Sequence, residues 1–155
     1  MAPERTAKVV VREIEPGTPE YAEATEVRYE ALYREWGLPR ALVADTDGRT
    51  YRHVAAFDDT GRLVGYGRVW LEGGESKIFQ VSVVSDRQGA GIGATLVEAL
   101  VEMAAGAGRT EVVLDARAHV VPFYEKQGFA AEGDEFISGR TGTPHRFMKR
   151  AIRRP

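Results

Sequence analysis

The stretch from residue 78 to residue 96 constrains this chain most, because it has the pattern of a strand, a glycine-rich turn and a helix start. A β-branched run, IFQVSVV, ends at Val84, and the glycines that follow it are Gly89, Gly91 and Gly93. Glycine lets the backbone approach a ligand closely, and the first N–H groups of a helix point outward with partial positive charge. The pattern therefore predicts either a tight packing turn or a cradle for the phosphates of a ligand.

Length, charge and cysteine content narrow the class of protein. A chain of 155 residues is the size of one domain and can bury a core without disulfides. It has no cysteine, which excludes disulfides, thiolate metal sites and a cysteine nucleophile. The net charge of −2, with both signs interspersed, argues against binding to nucleic acid or an anionic membrane. No signal peptide or membrane-spanning stretch is evident, so we expect a soluble cytoplasmic protein.

The first half of the chain predicts a strand, a helix and an antiparallel hairpin. Residues Lys8–Glu13 have the β-branched character of a strand, and the sequence TPE from Thr18 is a typical start for a helix that Gly37 ends. The segment Arg40–Thr50 carries aspartates and a glycine, so we expect it to be irregular and exposed. Two strand-like runs then flank the turn sequence DDTG, which begins at Asp58 and predicts a hairpin.

The second half predicts one βαβ unit and an antiparallel ending. After the glycine turn, apolar residues follow the helical period as far as Ala104, and Glu111–Ala116 is an apolar strand typical of a parallel pair. A short helix over Pro122–Gln127 and two strands, Phe129–Phe136 and Pro144–Lys149, complete the chain. We therefore expect an α/β (α+β) domain with a mixed sheet of about six to seven strands and helices on both faces.

Two kinds of protein place a glycine turn before a helix in this way. In a dinucleotide-binding domain the glycines follow the strand directly with G-x-G-x-x-G spacing, whereas here SDRQ intervenes and the spacing is G-x-G-x-G. The segment QGAGIG from Gln88 instead resembles the Q/R-x-x-G-x-G/A pattern of the GNAT acyltransferase superfamily. The later segment VPFYEKQGF, from Val121 to Phe129, resembles that superfamily's F/L-Y-E-K-x-G-F element. The two motifs occur in the expected order.

Two further segments resemble the ElaA-like branch of this superfamily. The ending GTPHRFM from Gly142 is similar to that branch's G-I-P-H-x-x-M. The stretch from Val27 to His53 is similar to its R-x-x-V-F-x-x-E-Q-x-x-P…D…H pattern. The chain departs from the superfamily at Arg117, where an asparagine that contacts the cofactor is common, and from the branch at Glu35-Trp36, where glutamate and glutamine are common.

The resemblance implies a single GNAT domain over residues 1–155, with its core over about 8–150 and two central parallel strands splayed around the cofactor. It also implies transfer of an acetyl group from acetyl-CoA to a primary amine by direct attack, with no metal. The implied cofactor contacts belong to the glycine turn, the strand before it and two more distant side chains: Val81, Ser82, Val83, Gln88, Gly89, Ala90, Gly91, Ile92, Gly93, Ala94, Arg117 and Tyr124.

Acid–base roles also follow from the resemblance. Tyr124 is the expected general acid, which donates a hydrogen bond to the departing CoA sulfur. An aliphatic amine with a pKa of about 10.4 is mostly protonated at pH 7, so the reaction also needs a base. The candidates for that base are His53, His119, Glu135 and His145. We expect His119 and Glu135 to act in catalysis, and we expect His53 and His145, together with Arg28, to contact the acceptor.

Structural alternatives are open for the same side chains. Tyr124 fits a packed aromatic on a short helix, the three histidines fit a helix cap or hydrogen bonds to backbone, and Asp45, Asp47, Asp58 and Asp59 fit turns. For the whole chain, the alternative function is a CoA-binding regulatory module that acylates nothing. The resemblance implies a small-molecule or peptide amine as the acceptor and is compatible with a homodimer.

Overall fold

The computed structural model describes residues 8–44 and 48–152 and places them in one mixed β-sheet with helices on both faces. The strands are β1 (Val9–Ile14), β2 (Arg52–Asp58), β3 (Leu63–Trp70), β4 (Lys77–Val83), β5 (Glu111–Arg117), β6 (Ala130–Ala131), β7 (Phe136–Ile137) and β8 (Pro144–Ala151). The helices are α1 (Pro19–Leu32), α2 (Ile92–Gly106) and α3 (Val121–Lys126). The strand order is β1-β2-β3-β4-β5-β8-β6, with β7 also paired to β8. The predicted α/β fold with a mixed sheet is confirmed.

Helix α1 begins where the sequence predicts and ends earlier. The Thr18 side chain accepts a hydrogen bond from the Tyr21 backbone N–H (3.3 Å), which caps the helix. The helix ends at Leu32, because Tyr33 leaves the helical conformation and a short 3₁₀ turn follows it. The prediction that the helix extends to Gly37 is therefore wrong, since that glycine instead ends the 3₁₀ turn with a left-handed φ of +67°.

The two faces of the sheet carry separate cores. On the first face, α1 packs its buried Ala24 into a cluster with Ile14, Ala55, Leu63 and Tyr66. On the second face, α2 packs its apolar side against β2, β3, β4 and β5. Glycines in β3 permit this approach, because a Cβ on Gly65 or Gly67 would lie 2.8 Å from Leu96 Cδ1 or Leu100 Cδ1, respectively. Helix α2 is thus held close to the sheet at two glycine positions.

The parallel pair at the centre of the sheet opens after a short contact. Strands β4 and β5 pair only at Lys77 with Val113 and at Ile78 with Leu114, although both strands continue for several residues beyond that point. Every other pairing among the described residues is antiparallel. The predicted splaying of two central parallel strands is confirmed, and the gap lies between their carboxyl ends.

Two loop predictions need correction. The segment 40–50 was expected to be irregular and exposed, yet it contains a 3₁₀ turn over Arg40–Val43 whose last residue is buried. The predicted strand Phe129–Phe136 is divided into the two-residue strands β6 and β7, because the regular pairing with β8 is interrupted after the Glu132 N–H donates to the Phe147 carbonyl (2.9 Å). The predicted turn aspartates Asp45 and Asp47 lie outside the described residues. Within the described ranges, no helix has the length and apolar character that crossing a bilayer requires.

Candidate active site

The gap between β4 and β5 opens into a cavity of about 760 Å³. Its walls are the end of α1, strand β4, the glycine turn, the first turn of α2, the end of β5, helix α3 and the start of β8. Most of the site residues predicted from the sequence line this cavity: Val81, Ser82, Val83, Gln88, Gly89, Gly91, Ile92, Gly93, Ala94, Arg117, His119, Tyr124 and His145. Side chains from both halves of the chain therefore meet in one space.

Backbone conformation and close packing explain why glycine occupies these positions in the turn. Gly89 and Gly91 have φ values of +82° and +83°, which L-residues with a side chain rarely adopt. Gly93 lies in the first turn of α2, where an added Cβ would lie 3.1 Å from Phe123 Cζ. Gly91 is the N-cap of α2, and no side chain caps this helix. The first N–H groups of α2 are therefore available to an anionic ligand at the cavity wall.

Ion pairs hold the turn between β4 and α2 to the hairpin of β2 and β3. Arg87 donates to Asp58 (3.1 Å), and Arg62 donates to both carboxylate oxygens of Asp86 (2.8 and 3.1 Å). The Thr60 hydroxyl, the backbone N–H groups of Arg62 and Thr60, and the charge of Arg87 lower the pKa of Asp58. Asp58 thus serves the turn between β2 and β3, as predicted. Through Arg87 it also links this turn to the segment before the glycine turn, which is the candidate phosphate-binding site.

Strand β4 contains a bulge at the position where it borders the cavity. Between the pairs Tyr66–Ser82 and Arg68–Phe79, β4 has one residue more than β3. Gln80 lies in this extra stretch and has a φ of +56°. The residue is therefore in the left-handed region that a strand residue normally avoids.

The bulge changes which N–H groups of β4 face the gap. The Ser76 carbonyl accepts a hydrogen bond from β5, so regular alternation would point Val84 toward β5 as well. Instead the Val84 N–H donates to Val64 of β3 (3.0 Å). Alternation backward from Val84 turns the N–H groups of Val83 and Val81 toward the β5 side. Both residues are among the cofactor contacts that the family resemblance implies.

Tyr124 lies on α3 with its ring fixed by two aromatic neighbours. Its ring centroid is 4.9 Å from that of Phe123 and 5.8 Å from that of Phe129, both in edge-to-face geometry. The residue is 8% exposed and lines the cavity. Burial raises the pKa of Tyr124, because a phenolate would lose its hydration there. The phenol therefore keeps its proton at neutral and mildly alkaline pH.

Two of the three histidines line the cavity. His145 opens β8, and its Nδ1 lies 2.9 Å from the Thr143 carbonyl oxygen. Because a carbonyl can only accept, Nδ1 carries the proton, and Nε2 of the neutral ring has the free lone pair that a base needs. His119 is exposed and lies beside Trp36, with 5.5 Å between the ring centroids. Of the two, His145 has the better defined geometry for a base.

Four predicted site residues do not line the cavity. Arg28 and His53 are buried on the α1 face of the sheet, where the Nδ1 atom of His53 is 2.6 Å from the Tyr66 hydroxyl. Glu135 is exposed between β6 and β7, and Ala90 lies in the glycine turn with its side chain outside the lining. The acceptor-binding role predicted for Arg28 and His53 therefore has no support from this geometry.

Arg117 lines the cavity and extends across its opening. Its guanidinium donates to the Leu32 carbonyl at the end of α1 and lies 5.2 Å from the Trp36 ring centroid. Burial lowers the pKa of Arg117, since the charged guanidinium is partly removed from water. Its predicted contact with the cofactor stays a prediction. The side chain also connects β5 with α1 at the point where β4 and β5 have separated.

The sequence interpretation did not single out Gln80, Tyr33 or Arg68, which also line the cavity. Gln80 and Arg68 lie in runs that the sequence presents as ordinary strands, and a polar side chain within an apolar run was the one available signal. Tyr33 lies in the segment that was predicted to be helical. Its position in the cavity wall depends on the early end of α1.

The family of this chain is shown by a match to the family model described as "Acetyltransferase (GNAT) domain", which covers residues 20–151. The chain belongs to the GNAT acetyltransferase family. It is also 30% identical over 124 residues to the uncharacterized N-acetyltransferase YjcF of Bacillus subtilis (strain 168). That alignment covers 79% of this chain and 86% of YjcF. The superfamily predicted from the two sequence motifs is therefore confirmed.

Solved GNAT structures share the fold of this chain. Escherichia coli ElaA matches with a TM-score of 0.75 and 22% identity, over 92% of this chain and 99% of ElaA. An aminoglycoside 6'-N-acetyltransferase complexed with coenzyme A matches with a TM-score of 0.74 and 20% identity, over 94% of this chain and 99% of that one. At these identities the likeness concerns the fold.

Proposed function

We propose that this GNAT protein transfers an acetyl group from acetyl-CoA to a primary amine within a ternary complex. The observation that carries the proposal is the cavity between β4 and β5, which brings together three elements of acyl transfer. These elements are the uncapped N-terminus of α2, the N–H groups of β4 that face the gap, and the Tyr124 phenol. Each is a donor of hydrogen bonds to a group that acetyl-CoA carries.

The residues of the cavity fit the parts of acetyl-CoA. The backbone N–H groups from Gly89 to Ala94 would hold the pyrophosphate, because the helix start offers donors and partial positive charge. The edge of β4 beyond Ile78 lacks a strand partner on the β5 side, so its amides would pair with the pantetheine arm as an added strand does. Val81 or Val83 would donate to the thioester carbonyl oxygen, where negative charge develops during attack.

The acceptor amine would attack the thioester carbonyl carbon with its nitrogen lone pair. The C–N bond forms, the C–S bond breaks, the amine loses one proton, and the CoA thiolate gains one. Tyr124 would stabilise the thiolate by a hydrogen bond and keep its own proton, because burial disfavours the phenolate. Since pH 7 is about 3.4 units below the pKa of an aliphatic amine, removing the proton from the protonated amine costs about 4.6 kcal/mol without a base. We assign the role of this base to Nε2 of His145.

The proposed acceptor is a small-molecule amine that reaches the cavity from the α1 face. Support comes from the aminoglycoside 6'-N-acetyltransferase of the same fold, whose name states a small-molecule amine. Aromatic and cationic side chains line this part of the cavity, including Tyr51, Phe79 and Arg68. A peptide amine is the alternative acceptor, and a panel of substrates distinguishes the two.

The proposal is tested by incubating the protein with acetyl-CoA and a panel of amines. CoA release is followed by a thiol reagent, and mass spectrometry confirms an acetylated product. Tyr124→Phe is expected to lower kcat by about tenfold or more with little change in the Kd for CoA, since only the hydroxyl is lost. Tight CoA binding with no product across small amines and peptides would instead support the alternative, a CoA-binding regulatory module.

A further inference from the structure

Gln80 has a backbone conformation that the rest of the protein must hold in place. Among the described residues it is the only non-glycine residue with a positive φ, and it lies within β4 beside the cavity. A side chain in the left-handed region is unfavourable, and such residues persist where their surroundings fix them. Glycine would adopt this φ without strain, so the presence of glutamine calls for a function of its amide.

The Gln80 amide is held at both ends by residues of the α1 segment. Its Oε1 accepts a hydrogen bond from Arg28 Nη1 (3.0 Å), and its Nε2 donates to the Tyr33 hydroxyl (2.9 Å). We name these three residues the Gln80 clamp. The carbonyl of the same residue accepts from the Ser82 hydroxyl (2.9 Å). Side chain and backbone of Gln80 are thus both fixed.

Arg28 is itself fixed within the protein. It is 1% exposed, its Nη2 donates to Thr25 Oγ1 (2.9 Å), and its guanidinium carbon lies 4.8 Å from the Tyr66 ring centroid. Burying a guanidinium has a high desolvation cost, and apolar packing would stabilise this part of the fold as well or better. Its bond to Gln80 instead fixes one conformation of the bulge. This explains why Arg28 is buried away from the cavity although the sequence suggested an acceptor contact.

We propose that Arg28 and Tyr33, acting through Gln80, are positioning residues for acetyl transfer. The clamp holds the bulge at which the N–H direction of β4 reverses, so that Val81 and Val83 donate into the gap. The inference rests on the proposed function, because these N–H groups serve the thioester carbonyl there. Loss of the clamp leaves the phosphate cradle intact and misdirects the carbonyl donor.

The test compares a variant that removes both hydrogen bonds of the Gln80 amide with a variant that removes only the bond to Tyr33. Gln80→Gly keeps the positive φ and removes the amide, and Tyr33→Phe removes only the hydroxyl. Tyr66→Phe is the matched control, since it loses the buried phenol hydrogen bond to His53 (2.6 Å) and keeps the ring that lies against Arg28. Both clamp variants are expected to lower kcat by about 10- to 100-fold while the Kd for CoA stays within about threefold of wild type. The control is expected to lose thermal stability and retain kcat.

A double variant separates an action through Gln80 from a direct contact of Tyr33 with substrate. If Tyr33 acts through Gln80, Tyr33→Phe has no further effect on kcat in the Gln80→Gly background. Gln80→Glu is the conservative rescue, because its carboxylate accepts from both Arg28 and Tyr33, and kcat is expected to return toward wild type. Full additivity of the two substitutions, or kcat within about twofold of wild type in both single variants, overturns the inference.

A spectroscopic readout that does not need the amine distinguishes this failure from failure of the proposed function. The carbonyl ¹³C resonance of labelled acetyl-CoA is measured bound to wild type and to the clamp variants. A hydrogen bond from β4 shifts the resonance in wild type, and the shift is expected to be lost in Gln80→Gly. An equal shift in wild type and Gln80→Gly overturns the positioning role of the clamp and leaves the proposed function standing. Absence of acetyl-CoA binding to wild type overturns the proposed function.

Discussion

Replacing Gly91 with alanine tests the glycine turn and the start of α2 as a phosphate-binding site. Gly91 is the N-cap of α2 with a φ of +83°, and a residue with a Cβ costs about 1–2 kcal/mol in that region. For a chain of this length, such a loss lowers Tm by about 2–8 °C. The helix start relieves the strain by leaving the left-handed conformation, which turns the first N–H groups away from the cavity.

The same substitution is expected to weaken CoA binding by more than its effect on stability explains. We expect one or two hydrogen bonds from these N–H groups to the phosphate to be lost. Each lost bond weakens the free energy of CoA binding by about 1.5–3 kcal/mol. The Kd for CoA, measured by isothermal titration calorimetry, should therefore rise by at least about tenfold. Differential scanning calorimetry of the same samples gives the change in Tm.

Gly17→Ala is the matched control for this prediction. Gly17 has a φ of +84° and open space around its Cβ position, and it lies between β1 and α1 outside the cavity lining. It should show the loss of stability without the loss of CoA affinity. If Gly91→Ala and Gly17→Ala lower Tm alike and neither changes the Kd, the glycine turn serves the backbone only. The phosphate cradle would then be refuted.

Three further predictions concern stability and proton transfer. Because the pKa of Asp58 is lowered in the folded protein, its charge stabilises the fold above about pH 4 and this contribution is lost as the pH falls further. The Tm difference between wild type and Asp58→Asn should narrow in that range, and a constant difference would contradict it. Gly67→Ala should destabilise the protein by about 1–3 kcal/mol in urea denaturation, because its Cβ would lie 2.8 Å from Leu100 Cδ1. His145→Gln should lower kcat most at neutral pH and least near the amine pKa of about 10, and a pH-independent loss would exclude His145 as the base.

Local patterns account for the part of the site that could be predicted from the sequence. The glycine turn and the segment around Tyr124 are each contiguous, and their residue types report backbone conformation and ring placement directly. The divergence of β4 and β5 followed from the family resemblance. These elements depend little on which distant residues meet, so a single sequence suffices to place them.

The bulge in β4 shows what the sequence does not contain. IFQVSVV has the pattern of an uninterrupted strand, and no residue in it favours a positive φ. The conformation of Gln80 depends on Arg28 and Tyr33, which are 52 and 47 residues away along the chain. For the same reason the sequence does not show that Arg28 is buried, because its burial depends on the packing of α1 against β3 and β4.

Helix α1 also explains how the sheet tolerates an opening at its centre. Where β4 and β5 diverge, neither strand can satisfy the other's backbone groups, and the two halves of the sheet lose direct contact. The end of α1 supplies another connection, since Tyr33 bonds Gln80 of β4 while the Leu32 carbonyl accepts from Arg117 of β5. A ligand can therefore enter the gap without breaking strand pairing. Consecutive residues at the end of one helix thus hold both walls of the site.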